Sequence, residues 1–223
     1  AEFSIARDED GIRKAKDDGQ FGVAFRYLSE ALGDTEFGFY AMNVHNRSPI
    51  ASGVKTTLSD TVLGGIVQTQ AGNWIAANAV NPLAPTADEL AGAEEFGRGV
   101  ATAQKIATTK YYVEYPEDIQ ITGLSFATTI GATALSGEVS HSKDAPIQIN
   151  GPMMIGTLVR GESTSPELVS TYLASEVGQT VDGYRTFDVS QIKVTAVQLL
   201  DRMLGASRMT LIGEAGYTFI HSF

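Results

Sequence analysis

Apolar residues alternate with small or polar ones in several stretches of the chain. In QFGVAFRYLSE, 20–30, Phe21, Val23, Phe25 and Tyr27 share one parity, and Gln20, Gly22, Ala24 and Arg26 the other. TEFGFYAMNVH, 35–45, repeats the arrangement with Phe37, Phe39 and Ala41 against Glu36, Gly38 and Tyr40. A period of two belongs to a strand with two different faces, and two such runs around the turn residues of ALGDTE predict a β-hairpin. A second tight hairpin is predicted where 110–131 meets 132–142 across Gly131-Ala132. A third is predicted from 189–202 and 207–223 around LGA at 204–206. Ile119 and Ile121 differ in parity from Leu124, Phe126 and Ile130, so 110–131 is expected to hold a bulge near Gly123 or two strands.

Between the hairpins the period lengthens. Residues 56–80 and 86–107 are rich in Ala, Thr, Gln and Glu at helical spacing, and Pro82 and Pro85 separate them. The long polar connection 143–188 is expected to hold a short strand at 145–150. It is also expected to hold a short helix in 165–178, with Ser165 as N-cap and Pro166 at its first position. Residues 1–19 carry Asp8-Glu9-Asp10, Arg13-Lys14 and Asp17-Asp18, which predicts a solvated segment. The expected organisation is one β-barrel segment over 1–223, with a helical connection at 46–108 and a polar one at 143–188.

The placement of charge suggests what the two faces meet. Arg26, Glu36, Glu138, Lys193 and Glu214 sit inside the alternating runs among Gly, Ala, Ser, Thr and Gln. Phe21, Val23, Phe25, Phe37, Phe39, Leu211, Tyr217 and Phe219 occupy the other parity. Small residues and paired charges suit a barrel lumen, and an aromatic band suits lipid. Short turns within pairs and long connections between them match outer-membrane barrels. The expected fold is therefore an all-β, antiparallel transmembrane β-barrel or partial barrel with long, partly helical loops. A soluble sandwich or α+β domain is the alternative. Six strands are well signalled, fewer than the usual bacterial minimum of about eight, so strands are missed or the chain is part of a larger barrel. Trp74, among small residues, is the expected anchor of the helical connection, which would plug the barrel or form a contact surface.

Composition removes other classes. At 43% hydrophobic, the chain is too apolar for disorder, and without Cys it has no disulfides, thiol catalyst or Cys-based metal site. A net charge of -10 argues against general nucleic-acid binding. No run of 18 apolar residues predicts a transmembrane helix, and AEFSIARDEDGIRKAKDDGQ places charges where a signal peptide needs an apolar stretch. His45, His141 and His221 show no metal-ligand spacing. Glu94-Glu95, Glu117-Asp118 and Asp17-Asp18 lie in polar runs and are expected to be solvated. No GxSxG, P-loop or dinucleotide pattern occurs, so neither an enzyme nor a cofactor is expected.

The segment DDGQFGVAFRYLSEALGDTEFGFYAMNVHNRSP, 17–49, resembles a family of large Gram-negative outer-membrane proteins of unknown function found in Pseudomonas and its relatives. The residues that carry the likeness include Gly19, Gln20, Phe21, Gly22, Arg26, Tyr27, Asp34, Thr35, Glu36, Phe37, Gly38, Tyr40, Asn43, His45 and Arg47. YPEDIQITGLSFATTIGATALSGEVSHSKDAPIQING, 115–151, and the closing FDVSQIKVTAV and LIGEAGYTFI fit the same pattern. The resemblance implies an outer-membrane location, a central portion of a longer chain, and no catalytic motif. It also implies a role in the passage of hydrophobic molecules. The function expected is a passive channel or transporter for small or hydrophobic solutes. Its expected partners are membrane lipid, the remainder of a larger barrel or additional copies, and a hydrophobic small-molecule solute, with no nucleic acid. The alternatives are a structural or adhesive surface protein, or a soluble β-rich binding domain.

Overall fold

The computed structural model describes residues 4–203 and 205–221. Its elements are β1 (Ala6–Arg13), β2 (Phe21–Ser29), β3 (Thr35–Val44), β4 (Ile50–Val54), α1 (Asp60–Asn78), α2 (Ala87–Thr108) and β5 (Lys110–Glu114). They continue with β6 (Ile119–Ile130), β7 (Thr133–Gln148), α3 (Gly151–Arg160), α4 (Pro166–Ala174), β8 (Thr180–Val181), β9 (Tyr184–Asp201) and β10 (Arg208–His221). The chain divides into two compact units.

The first unit takes the chain up to Arg13, Pro49–Glu114 and Gln148–Tyr184. Its sheet has the order β1-β5-β4-β8. Strand β1 pairs parallel with β5, while β4 pairs antiparallel with both β5 and β8. Each helix begins at a residue able to cap it. Ser59, Asn150 and Ser165 accept the N–H of Val62, Met153 and Leu168, and Thr86 forms a reciprocal capping box with Glu89. The core is Met154, Leu158, Leu168, Tyr172 and Val181, with Ile149 and Met153 packed on it. Each such side chain stabilises by about 1.5–3 kcal/mol. Gly183 is required for this packing, because a Cβ there would stand 1.7 Å from the Ala51 carbonyl oxygen.

The second unit takes Lys14–Ser48, Tyr115–Ile147 and the chain from Arg185. Its sheet has the order β10-β9-β7-β6-β3-β2. All three predicted hairpins are present, as β2–β3, β6–β7 and β9–β10. Residue 204 of the third turn lies outside the described residues. Of the two arrangements expected for 110–131, two strands form, β5 and β6, and no bulge: β6 runs without a register break against both β3 and β7. Ile119 and Ile121 instead share a face with Val44 and Met42, which makes that end of the otherwise polar face apolar.

The expected all-β barrel is corrected by this topology. The fold is mixed α/β, and both of its sheets are open. Strands β2 and β10 end the six-stranded sheet, each with one neighbour. Alternation establishes that a strand has two unlike faces, whereas closure depends on pairing between edge strands. The expectation of transmembrane β-strands and a porin-like fold falls with it. Among the described residues no helix is long and apolar enough to cross a membrane.

Candidate functional site

The register of the six-stranded sheet places Arg26, Glu36, Glu138, Lys193 and Glu214 on one polar face. Arg26 lies opposite Gly38 and reaches diagonally to Glu36, with Nη1 3.4 Å from Oε1. Lys193 lies opposite Gly216 and reaches Glu214 in the same way, Nζ to Oε2 at 3.2 Å. Glu138 takes its bond from Tyr40, whose hydroxyl donates to Oε1 at 2.5 Å. Burial, followed by that carboxylate, pushes the Tyr40 phenol up to about 12. The Tyr40 ring lies over Gly123, its direct cross-strand partner, where no Cβ could fit. Gly123 thus leaves room for the long Tyr40 side chain from the next strand. Both ion pairs are solvent-exposed, so each is worth under about 1 kcal/mol and serves alignment more than stability.

The opposite face carries all eight residues expected to form an apolar band: Phe21, Val23, Phe25, Phe37, Phe39, Leu211, Tyr217 and Phe219. Phe25 pairs with Phe39, which pairs with Leu124, which pairs with Val139. Phe21 is 72% exposed, and Phe25 and Tyr217 are comparably open. A shallow concavity of about 460 Å³ on this sheet is lined by Val23, Phe25, Phe39 and Leu124 and reaches His141 and Ser190.

The helical connection is an excursion from a β-hairpin. Val54, at the end of β4, is the direct partner of Lys110 at the start of β5. The Thr56 and Thr108 hydroxyls, 2.6 Å apart, close the base. Helix α2 turns a stripe of small residues, Ala93, Gly97 and Ala101, inward. At Gly97 a Cβ would lie 2.4 Å from the Val67 carbonyl oxygen, so the backbones of α1 and α2 approach closely there. Trp74 covers Gly92, with Cη2 3.4 Å from where a Cβ would stand. Helix α1 mixes apolar and polar residues around its circumference and buries none of them. At the tip of the excursion Val80 is 96% and Leu83 97% exposed.

The first unit also has a half-open apolar pocket of about 460 Å³ lined by Ile5, Ala51, Tyr111, Met154, Ile155 and Leu158. Its polar neighbours already have partners. Gln148 exchanges bonds with the Ala51 backbone, and Ser52 donates to Glu114 while accepting from Gly183.

The histidines occupy two kinds of place that spacing along the chain does not reveal. His45 is buried and ties loops together: Nε2 contacts the Asp18 carbonyl at 2.8 Å, and Nδ1 accepts the Asp118 N–H at 3.1 Å. His141 and His221, far apart in sequence, both reach Ser190. Among the described residues no group of three or more His, Asp or Glu side chains is arranged to hold a metal ion.

A family model described as a protein of unknown function, DUF1302, matches residues 2–223. The chain belongs to that family. DUF1302 is a Gram-negative outer-membrane protein family whose function is unknown. No curated protein and no solved structure matches the chain. For this DUF1302 chain the channel expectation is corrected, because an open sheet encloses no lumen. The partners expected on that basis fall with it: membrane lipid, the remainder of a larger barrel or additional copies, and a transported hydrophobic solute.

Proposed function

We propose that this DUF1302 chain is a non-catalytic, adhesive surface module that acts at the outer membrane and makes contact through its α1–α2 excursion. The observation that carries the reading is the exposure of Val80 and Leu83 at the tip of a helical pair whose α1 buries no residue. Large apolar side chains held fully in solvent at the end of a supported projection are a marker of protein contact. The base of the excursion joins paired residues of β4 and β5, and its buried residues, Ala93, Gly97 and Ala101, all lie on α2. Lys105, near the base of α2, lies 5.3 Å from the centroid of the core Tyr172 ring, so it is the tip of the excursion that is separable from the scaffold. The six-stranded sheet, braced by cross-strand pairs on its polar face, serves as framework in this reading. Its exposed aromatic face favours a second reading, a β-rich binding domain that takes an apolar partner segment.

The test replaces residues 60–107 with a short Gly-rich turn in the complete protein in its native bacterium. Attachment to protein-coated surfaces and permeability to small solutes are then measured. Attachment is expected to be lost with permeability unchanged. Undiminished attachment would overturn the adhesive reading, and would leave the aromatic sheet face as the contact surface.

A further inference from the structure

We propose that His141 and His221 form a two-imidazole site for a divalent transition-metal ion on the six-stranded sheet. Strands β7, β9 and β10 are consecutive in that sheet and bring the two rings to Ser190 on β9. His141 Nδ1 lies 3.0 Å and His221 Nε2 2.8 Å from the Ser190 hydroxyl oxygen, so one nitrogen from each ring converges on a single point. The ring centroids are 5.9 Å apart with planes at 62°. Two imidazoles bound to one ion at 2.0–2.1 Å place their centroids about 5–6 Å apart, so the pair is close to ligating geometry before any ion arrives.

One carboxylate stands beside the pair, and one lysine, Lys143, follows His141 on the same face of β7. Asp188 is the direct cross-strand partner of His221, and its Oδ1 accepts the Asp144 N–H at 3.2 Å. Both histidines are exposed, so water can complete the coordination and no desolvated charge has to be created. A serine hydroxyl has one proton to give. One ring nitrogen therefore accepts from it while the other donates to it. On binding, the donating ring moves its proton to its second nitrogen, and both lone pairs then face the ion. Neutral imidazole suits Zn²⁺, Cu²⁺ and Ni²⁺ rather than Mg²⁺ or Ca²⁺. The site would clamp edge strand β10 to the interior of the sheet.

Calorimetric titration of the full chain with Zn²⁺ tests this, with the histidine ring resonances followed by NMR. One ion is expected per chain, shifting both rings at the same stoichiometry. His141→Asn and His221→Asn each remove a ligand and should weaken binding by about tenfold or more, while Ser190→Ala, which leaves both ligands in place, should weaken it less than either. Circular dichroism checks that each variant is folded, and His141→Gln and His221→Gln replace any that is not. Absence of Zn²⁺ binding, or binding undiminished in either histidine variant, would overturn the site.

Discussion

Replacing Gly97 by Ala tests the close approach that holds the helical excursion together. A Cβ at Gly97 would sit 2.4 Å from the Val67 carbonyl oxygen and 3.2 Å from two further backbone atoms of Val67. Ordinary contact begins about 1 Å further out, and a backbone atom cannot step aside as the end of a side chain can, so α1 has to move away. Overpacking of this kind costs about 1–3 kcal/mol. The substitution also gains roughly 1 kcal/mol of helix propensity, which would blur the result if the variant were measured alone. Gly99 supplies the control, because it lies on the same helix and a Cβ there meets nothing within 4 Å. Gly99→Ala should stabilise by about 0.5–1 kcal/mol. Propensity cancels between the two variants, and their difference, expected at about 1–3 kcal/mol, isolates the overpacking. Urea melts followed by Trp74 fluorescence suit the measurement, since Trp74 is the single tryptophan and rests on α2 at Gly92. Melts of the two variants agreeing within about 0.5 kcal/mol would refute the close approach.

Thr86→Ala removes one half of the capping box and should lower the stability of the excursion by about 1 kcal/mol in the same fluorescence melt. His45→Ala strips the buried contacts to the Asp18 carbonyl and the Asp118 N–H, and should cost about 2 kcal/mol or more in thermal denaturation. Acid should destabilise the fold through three carboxyls held below their usual values: Asp8 chiefly by the Lys110 hydrogen bond, Glu89 by the Thr86 N–H and Glu117 by the Lys16 N–H. Depressed folded values mean that this stability is complete above the unfolded pKa and is lost as pH falls through the lower folded ones. Tm should therefore hold down to about pH 5 and fall below it, less steeply in Glu117→Gln; a Tm unchanged into strong acid would contradict the pairing.

Alternation made the faces of the larger sheet legible. The parity of Arg26, Glu36, Glu138, Lys193 and Glu214 against the aromatic residues gives the sides they occupy, and the Ser165 cap and Pro166 give the start of α4. The smaller sheet was legible only at β5, which lies in the strand run 110–131. Strand β1, ARDEDGIR, is mostly charged and forms because it pairs with β5 about a hundred residues later, a contact that no local pattern encodes. Strands β4 and β8 are short and owe their existence to the same neighbours. The barrel expectation failed for a related reason, since periodicity describes a strand's faces and says nothing of whether edge strands meet. The His141–Ser190–His221 cluster was hidden similarly, because it depends on β7 lying beside β9.

The adhesive role is tested most directly by the double substitution Val80→Ser and Leu83→Ser in the complete protein, with attachment to protein-coated surfaces measured beside Trp74 fluorescence. Both side chains are almost wholly in solvent and support nothing within the fold, so the fluorescence should be unchanged. Attachment is predicted to fall to the level of cells lacking the excursion. Attachment equal to that of the parent protein, with the same fluorescence, would contradict the account.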